Sequence, residues 1–82
     1  MDLSRRRDSI REMRLSRHAR NEMRLYGISV EDVEAVIDAP AIREVDERGN
    51  ARLSAEAGGG RRILVVVARD DPDFVITVFP RS

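Results

Sequence analysis

The sequence predicts a small α+β domain: a short N-terminal strand, two helices, then a four-stranded antiparallel meander. Three observations carry that expectation. Apolar residues recur at spacings of three and four between Arg17 and Asp38. From Ala41 onward they alternate with period two or run continuously. Residues that favour turns and caps stand at every change of period, and a chain of 82 residues has room for one core only.

Residues 1–11 form a basic extension, with Arg5-Arg6-Arg7 and only Leu3 and Ile10 as sizeable apolar side chains, although Ser9 and Glu12 could cap a short helix. A single domain is expected over residues 12–82. Met13-Arg14-Leu15 reads as a brief edge strand, and Ser16 as the N-cap of a helix over Arg17 to Tyr26 that Gly27 terminates in the left-handed conformation. Leu15, Ala19, Met23 and Tyr26 make its apolar side, and Arg17, Arg20 and Arg24 turn away. His18 and Glu22 fall at the flank of that stripe and are expected to be partly buried.

Ser29 and Asp32 read as the capping box of a second helix, which Pro40 ends, and Ile28 and Val33 suit a hydrophobic staple across that cap. Its buried positions should be Val30, Val33, Val36 and Ile37. Strands follow over 41–46 and 51–57, joined by a turn at Arg48-Gly49-Asn50. Gly58-Gly59-Gly60 breaks the chain before the β-branched strand 61–68. Asp70 to Asp73 reads as a turn, and Phe74 to Phe79 as the last strand. Two short helices cover one face of such a sheet, so some of Val65, Val67, Val75, Thr77 and Phe79 are expected to face a groove, the N-terminal segment or a partner.

Composition narrows the chemistry. Without cysteine there is no disulfide or thiolate site, and a single histidine argues against a zinc site built on imidazoles, so no metal or other cofactor is expected. The longest apolar run, Ile63 to Ala68, is too short to span a bilayer, and no signal-peptide pattern opens the chain; a cytoplasmic site of action is expected, with delivery by a larger secreted protein left open. Net charge is zero but uneven: +4 over residues 1–26, −5 over 27–57 and +1 over 58–82, with arginine as the only basic residue type. The planar guanidinium suits phosphate, whereas an all-arginine composition can equally reflect coding bias. The acidic stretch from Glu31 to Glu47 confines any nucleic-acid contact to one side.

His18 is the only side chain that titrates near neutrality unperturbed, and Glu22 and Tyr26 follow it at successive helical turns. Cleavage of RNA without metal needs a base for the 2′-hydroxyl proton, an acid for the leaving 5′-oxygen and cations for the phosphorane. His18 can supply acid or base, and Glu22 a base or an orienting partner. Arg61, Arg62 or Arg81 can hold phosphate, Arg17 lies on the same helix, and Thr77 or Tyr26 can add a hydroxyl. Each also has a plainer reading: a histidine bonded to backbone near a helix N-terminus, a hairpin with solvated arginines, an exposed terminal charge.

The order Leu15-Ser16-x-His18-Ala19-x-x-x-Met23-x-x-x-Gly27-Ile28-Ser29-x-Glu31-Asp32-Val33, then Pro40, Gly49-Asn50, Arg62 with the valine run, and Val75-Ile76-Thr77-Val78 resembles the bacterial domain-of-unknown-function family 4258 over residues 13–81. That family looks related to the RelE/ParE and BrnT-like toxins. The resemblance implies a RelE-like fold, a toxin that cleaves RNA (tRNA or mRNA) without metal, and a cognate antitoxin or immunity protein. It carries catalytic roles to His18, Arg62 and Thr77. Glu22 and Tyr26 depart from it, standing where many members have arginine, so the phosphate-binding helix face of relatives is expected to be altered or lost here, with Glu22 able to make a His–Glu pair instead. The alternatives are a non-catalytic binding module of the same fold acting through a partner protein, and self-association, including a homodimer, through the arginine-rich N-terminal segment.

Overall fold

The computed structural model describes residues 13–81. The order is β1 (Arg14–Leu15), α1 (Arg17–Tyr26), α2 (Val30–Asp38), β2 (Ile42–Val45), β3 (Ala51–Glu56), a 3-10 turn at Gly58–Gly60, β4 (Arg62–Ala68) and β5 (Asp71–Pro80). The five strands form one sheet in the order β1-β5-β4-β3-β2. Antiparallel pairing joins β2 to β3, β3 to β4 and β4 to β5, and β1 lies parallel to β5 through Arg14 opposite Phe74 and Leu15 opposite Val75. The result is an α+β domain with two helices and a mixed sheet. The expected basic extension, with Arg5-Arg6-Arg7, lies outside the described residues.

Both helix starts follow local chemistry. Ser16 Oγ accepts from the Ala19 N–H at 2.9 Å, and Gly27 ends α1 at φ 67°. Around α2 the capping box is closed on both sides: Ser29 Oγ accepts from the Asp32 N–H, and Asp32 Oδ2 from the Ser29 N–H. The β2–β3 hairpin turns on Gly49 at φ 89°, with Asp46 Oδ1 accepting from the N–H groups of Arg48 and Asn50 at 2.8 Å each.

Helix and sheet share one core. Ala19, Met23, Ile28, Val33 and Val36 pack on Leu53, Ala55, Ile63, Val65, Val67, Val75 and Val78. On the opposite face, Leu64 and Ser54 are also buried. The pairing of β5 with β4 is irregular twice: Val65 faces Val78, Val66 faces Thr77 and Val67 faces Val75, which leaves Ile76 as an extra residue, and Ala68 faces Asp71, which leaves Pro72, Asp73 and Phe74 outside this ladder.

Four expectations need correction. β5 begins at Asp71, so the turn is Arg69-Asp70 and Pro72 sits inside a strand. Pro72 is tolerated there because β1 pairs only with Phe74 and Val75, leaving no strand on its outer side. Tyr26 and Val30, expected in the core, are 39% and 43% exposed. They occupy the last turn of α1 and the first of α2, where the chain reverses and the helices leave the sheet. Ile37 is half-buried, at the end of α2. His18 is exposed, for the reason given next.

Candidate functional site at the first helix

Beyond the short β1, the outer edge of β5 has no strand beside it. α1 closes that edge with side chains. Ser16 N–H donates to Val75 C=O at 2.9 Å, Ser16 Oγ donates to Ile76 C=O at 2.7 Å, and Glu22 accepts from the Val78 N–H at 3.2 Å. Helix and strand therefore run side by side in the same direction. Ile76, left out of the β4 ladder, is itself one of the tied residues, at the kind of irregularity that re-aims side chains.

The same Oε1 of Glu22 stands 3.2 Å from His18 Nε2. The Glu22 side chain is 19% exposed and the His18 side chain 65%. A carboxylate anchored to the sheet thus holds one nitrogen of an exposed imidazole. His18 is exposed because the α1 stripe that meets the core is narrow, Ala19 and Met23, and His18 lies over the edge of β5 and not over its face. Nδ1, the other ring nitrogen, makes no hydrogen bond among the described residues.

The remaining candidate residues are dispersed. Thr77 pairs with Val66, and Val66 with Arg52, which puts Thr77 on the sheet face away from the helices. Arg62 begins β4 opposite Glu56, exposed and on that same face, and its C=O accepts from the Arg81 N–H. Arg17 and Arg81 are exposed. No hydrogen bond or ion pair joins Arg62, Arg81 or Thr77 to His18 among the described residues.

Arg61 has a structural task. Its two terminal nitrogens donate to Tyr26 C=O and Gly27 C=O, at 2.8 Å each, capping the C-terminus of α1. From the same loop, Gly58 N–H donates to Asp32 Oδ1 at 3.3 Å. The triglycine loop is thereby tied to the α1–α2 junction. The Asp32 carboxyl is held below its ordinary value by the Ser29 N–H first, then by Gly58, the Ser29 hydroxyl and the nearby Arg61 charge, against a smaller opposing effect of burial. Arg14 is engaged as well, paired with Asp71 and 5.8 Å above the Phe74 ring. Among the described residues no three His, Asp or Glu side chains are grouped so as to hold a metal ion, and no helix is long and apolar enough to cross a membrane.

The pattern of a family described as Domain of unknown function (DUF4258) matches residues 15–80. The chain belongs to the DUF4258 family. No curated protein and no solved structure matches it. The DUF4258 match runs from the last residue of β1 to the last of β5, so it includes both helices, four complete strands and the His18–Glu22 pair. Two features of this DUF4258 domain escape a reading of its sequence: the Val78 N–H that anchors Glu22, 56 residues away, and the Arg61 cap on carbonyls 35 and 34 residues earlier. Main-chain donors and acceptors carry no sequence signal, and pairs so far apart are brought together only by the fold.

Proposed function

We propose that this DUF4258 domain is a toxin-like, metal-independent ribonuclease acting at His18. The observation that carries the reading is the His18–Glu22 pair: an exposed imidazole whose Nε2 is held by a carboxylate fixed to β5. The element order, a short strand and two helices before the main sheet, is also the order that the resemblance to RelE-like toxins implies.

In the reaction, Nδ1 of His18 accepts the proton of an RNA 2′-hydroxyl. The 2′-oxygen bonds to the adjacent phosphorus, the bond from phosphorus to the 5′-oxygen breaks, and that oxygen takes a proton from water, the imidazolium returning its own proton to solvent afterwards. The products are a 2′,3′-cyclic phosphate and a 5′-hydroxyl end. Glu22 orients the ring and stabilises the imidazolium formed. Arg17, exposed and next to His18 in α1, is the cation offered to the phosphate; Arg81 follows the far end of β5 beside Arg62, Arg61 is committed to α1, and Arg62 and Thr77 lie on the far face.

The test is incubation of the purified chain with total RNA, with and without EDTA, beside His18→Ala. Cleavage that persists in EDTA, leaves cyclic phosphate ends and falls about 100-fold or more in the variant is the expected result. Equal rates for parent and variant would remove His18 from the reaction. The engagement of Arg14 and Arg61 within the fold favours a second reading, a non-catalytic module that occupies a partner protein. Under that reading the parent leaves total RNA intact and binds its partner regardless of His18→Ala.

A further inference from the structure

The two edges of the sheet are treated differently. α1 and β1 close the β5 edge, whereas β2 pairs with β3 on one side and with nothing described on the other. All of its residues are exposed, Val45 at 67% and Ile42 at 40%. Asp46 N–H bonds to Asn50 C=O at 2.9 Å. By the two-residue alternation of an antiparallel ladder, the main-chain groups of Glu44 then turn to β3, and those of Arg43 and Val45 point outward. An exposed edge with outward donors and acceptors is a template for another strand.

The side chains beside that edge are not neutral scenery. Arg43 pairs with Leu53 and Val45 with Ala51, so both stand on the helix-covered face of the sheet, beyond the reach of α2. There they border a groove of about 260 Å³ whose apolar walls include Ile37, Leu53 and Val67 and whose charged members are Arg43 and Arg69. Arg69 is steadied by Arg48 C=O and Asp70, while the Arg43 guanidinium makes no hydrogen bond or ion pair among the described residues. The groove is apolar in its depth and cationic at the strand that borders it.

A second copy of the chain does not fit this edge. A two-fold antiparallel pairing of β2 with itself must keep like faces together, so each register is centred on a residue opposite its own copy. Centring on Arg43 or on Glu44 opposes like charges. Centring on Val45 sets Glu44 opposite Asp46, and centring on Ile42 needs an outward N–H from Ala41, which already donates to Ser54 C=O at 2.9 Å.

We infer that the outer edge of β2 is a docking site for an extended strand of a different protein, with the pattern apolar–basic–acidic–apolar set against Val45, Glu44, Arg43 and Ile42. The acid meets the unpaired Arg43 guanidinium, the first apolar side chain lies beside Val45 over the groove, and the base meets Glu44 on the other face. Main-chain bonds to Arg43 and Val45 supply affinity, and the alternating side chains supply selectivity. The inference stands apart from any reaction at His18.

The test uses the whole chain, labelled with ¹⁵N, titrated with the capped peptide Thr-Val-Lys-Glu-Val-Thr and with the control Thr-Val-Lys-Lys-Val-Thr, which sets lysine opposite Arg43 in either strand direction. Binding of the first peptide at about millimolar affinity is expected, with amide shifts centred on 42–45 and Arg69, and about tenfold weaker binding of the control. Arg43→Glu should reverse that preference. Val45→Pro should abolish binding while leaving the β2–β3 amides in place, because the N–H it removes points outward. No binding of the first peptide, shifts centred elsewhere, no preference between peptides in the parent chain, or undiminished binding to a folded Val45→Pro would each overturn the inference.

Discussion

Replacing Arg61 by alanine separates an architectural arginine from an RNA-binding one. In the folded chain the guanidinium makes two hydrogen bonds of 2.8 Å to the carbonyls of Tyr26 and Gly27, at the negative end of α1. A hydrogen bond to a charged group is worth about 1.5–3 kcal/mol, and a cation at a helix C-terminus adds about 0.3–1 kcal/mol. Arg61 is only half-buried, and the carbonyls it leaves can turn to water, so a net loss of about 1–2 kcal/mol is expected. For a domain of this size each kcal/mol lowers Tm by about 4–8 °C, which makes the loss easy to resolve. Urea unfolding followed by far-UV circular dichroism gives the free energy. RNA cleavage measured well below the new midpoint gives the function. Lowered stability with cleavage retained is the expected pair of results. Unchanged stability with lost cleavage would refute the cap and return Arg61 to the phosphate.

Glu22→Ala removes the acceptor of the Val78 N–H and should cost about 1–3 kcal/mol by urea unfolding, whereas Glu22→Gln keeps an acceptor oxygen and should cost far less. Both should slow cleavage, because the carboxylate that steadies His18 is gone; a Gln variant as fast as the parent would dismiss Glu22 as a positioning residue. Among the described residues Ser54 Oγ is buried without a hydrogen-bond partner, so Ser54→Ala should leave Tm unchanged or raise it, and a loss above about 1 kcal/mol would show that the hydroxyl is satisfied in solution. Asp32 and Asp46 are both held below the ordinary value of 3.8: the N–H of Ser29 dominates at Asp32, while at Asp46 desolvation is the largest single effect and raises the value, but the N–H groups of Asn50, Arg48 and Gly49 and the Asn50 side chain together outweigh it. Their contribution is complete above the unfolded value and lost as pH falls through the lower folded values, so the urea midpoint should drop from about pH 5 to about pH 3, and less steeply in Asp32→Asn.

Helix limits were legible in the sequence because caps act within three or four residues. Ser16, Gly27, Ser29 and Asp32 each meet their partners on the neighbouring turn, and α1 spans Arg17–Tyr26 as the spacing predicts. The strand boundaries were less so. Asp70 to Asp73 has turn composition, yet only Arg69 and Asp70 turn, because a strand without a neighbour on its outer side tolerates proline. Tyr26 and Val30 show the limit of periodicity: both fit an apolar stripe, but a stripe is buried only where the sheet lies beneath it. For the candidate site, spacing placed His18 and Glu22 one turn apart, as found at 3.2 Å. It could not show that the helix borders an open strand edge, which leaves the carboxylate half-covered and the imidazole exposed.

The handling of the two sheet edges bears on how a partner could control this domain. β5 is closed by the helix that carries His18, and among the described residues β2 is left open three strand spacings away, about 14 Å across the sheet. A strand docked on β2 would extend the sheet away from His18, adding its own width on the far side. Such a partner could not occlude the imidazole through the docked strand alone. Either it leaves the reaction untouched and serves to recruit or localise the domain, or it continues from the docked strand across one face of the sheet to α1. The far face offers Arg52 and Thr77 along that route, and the helix-covered face is closed by α2. An inhibitory partner is therefore expected to follow its strand with an acidic segment, and removing that segment should relieve inhibition while leaving the β2 contact intact.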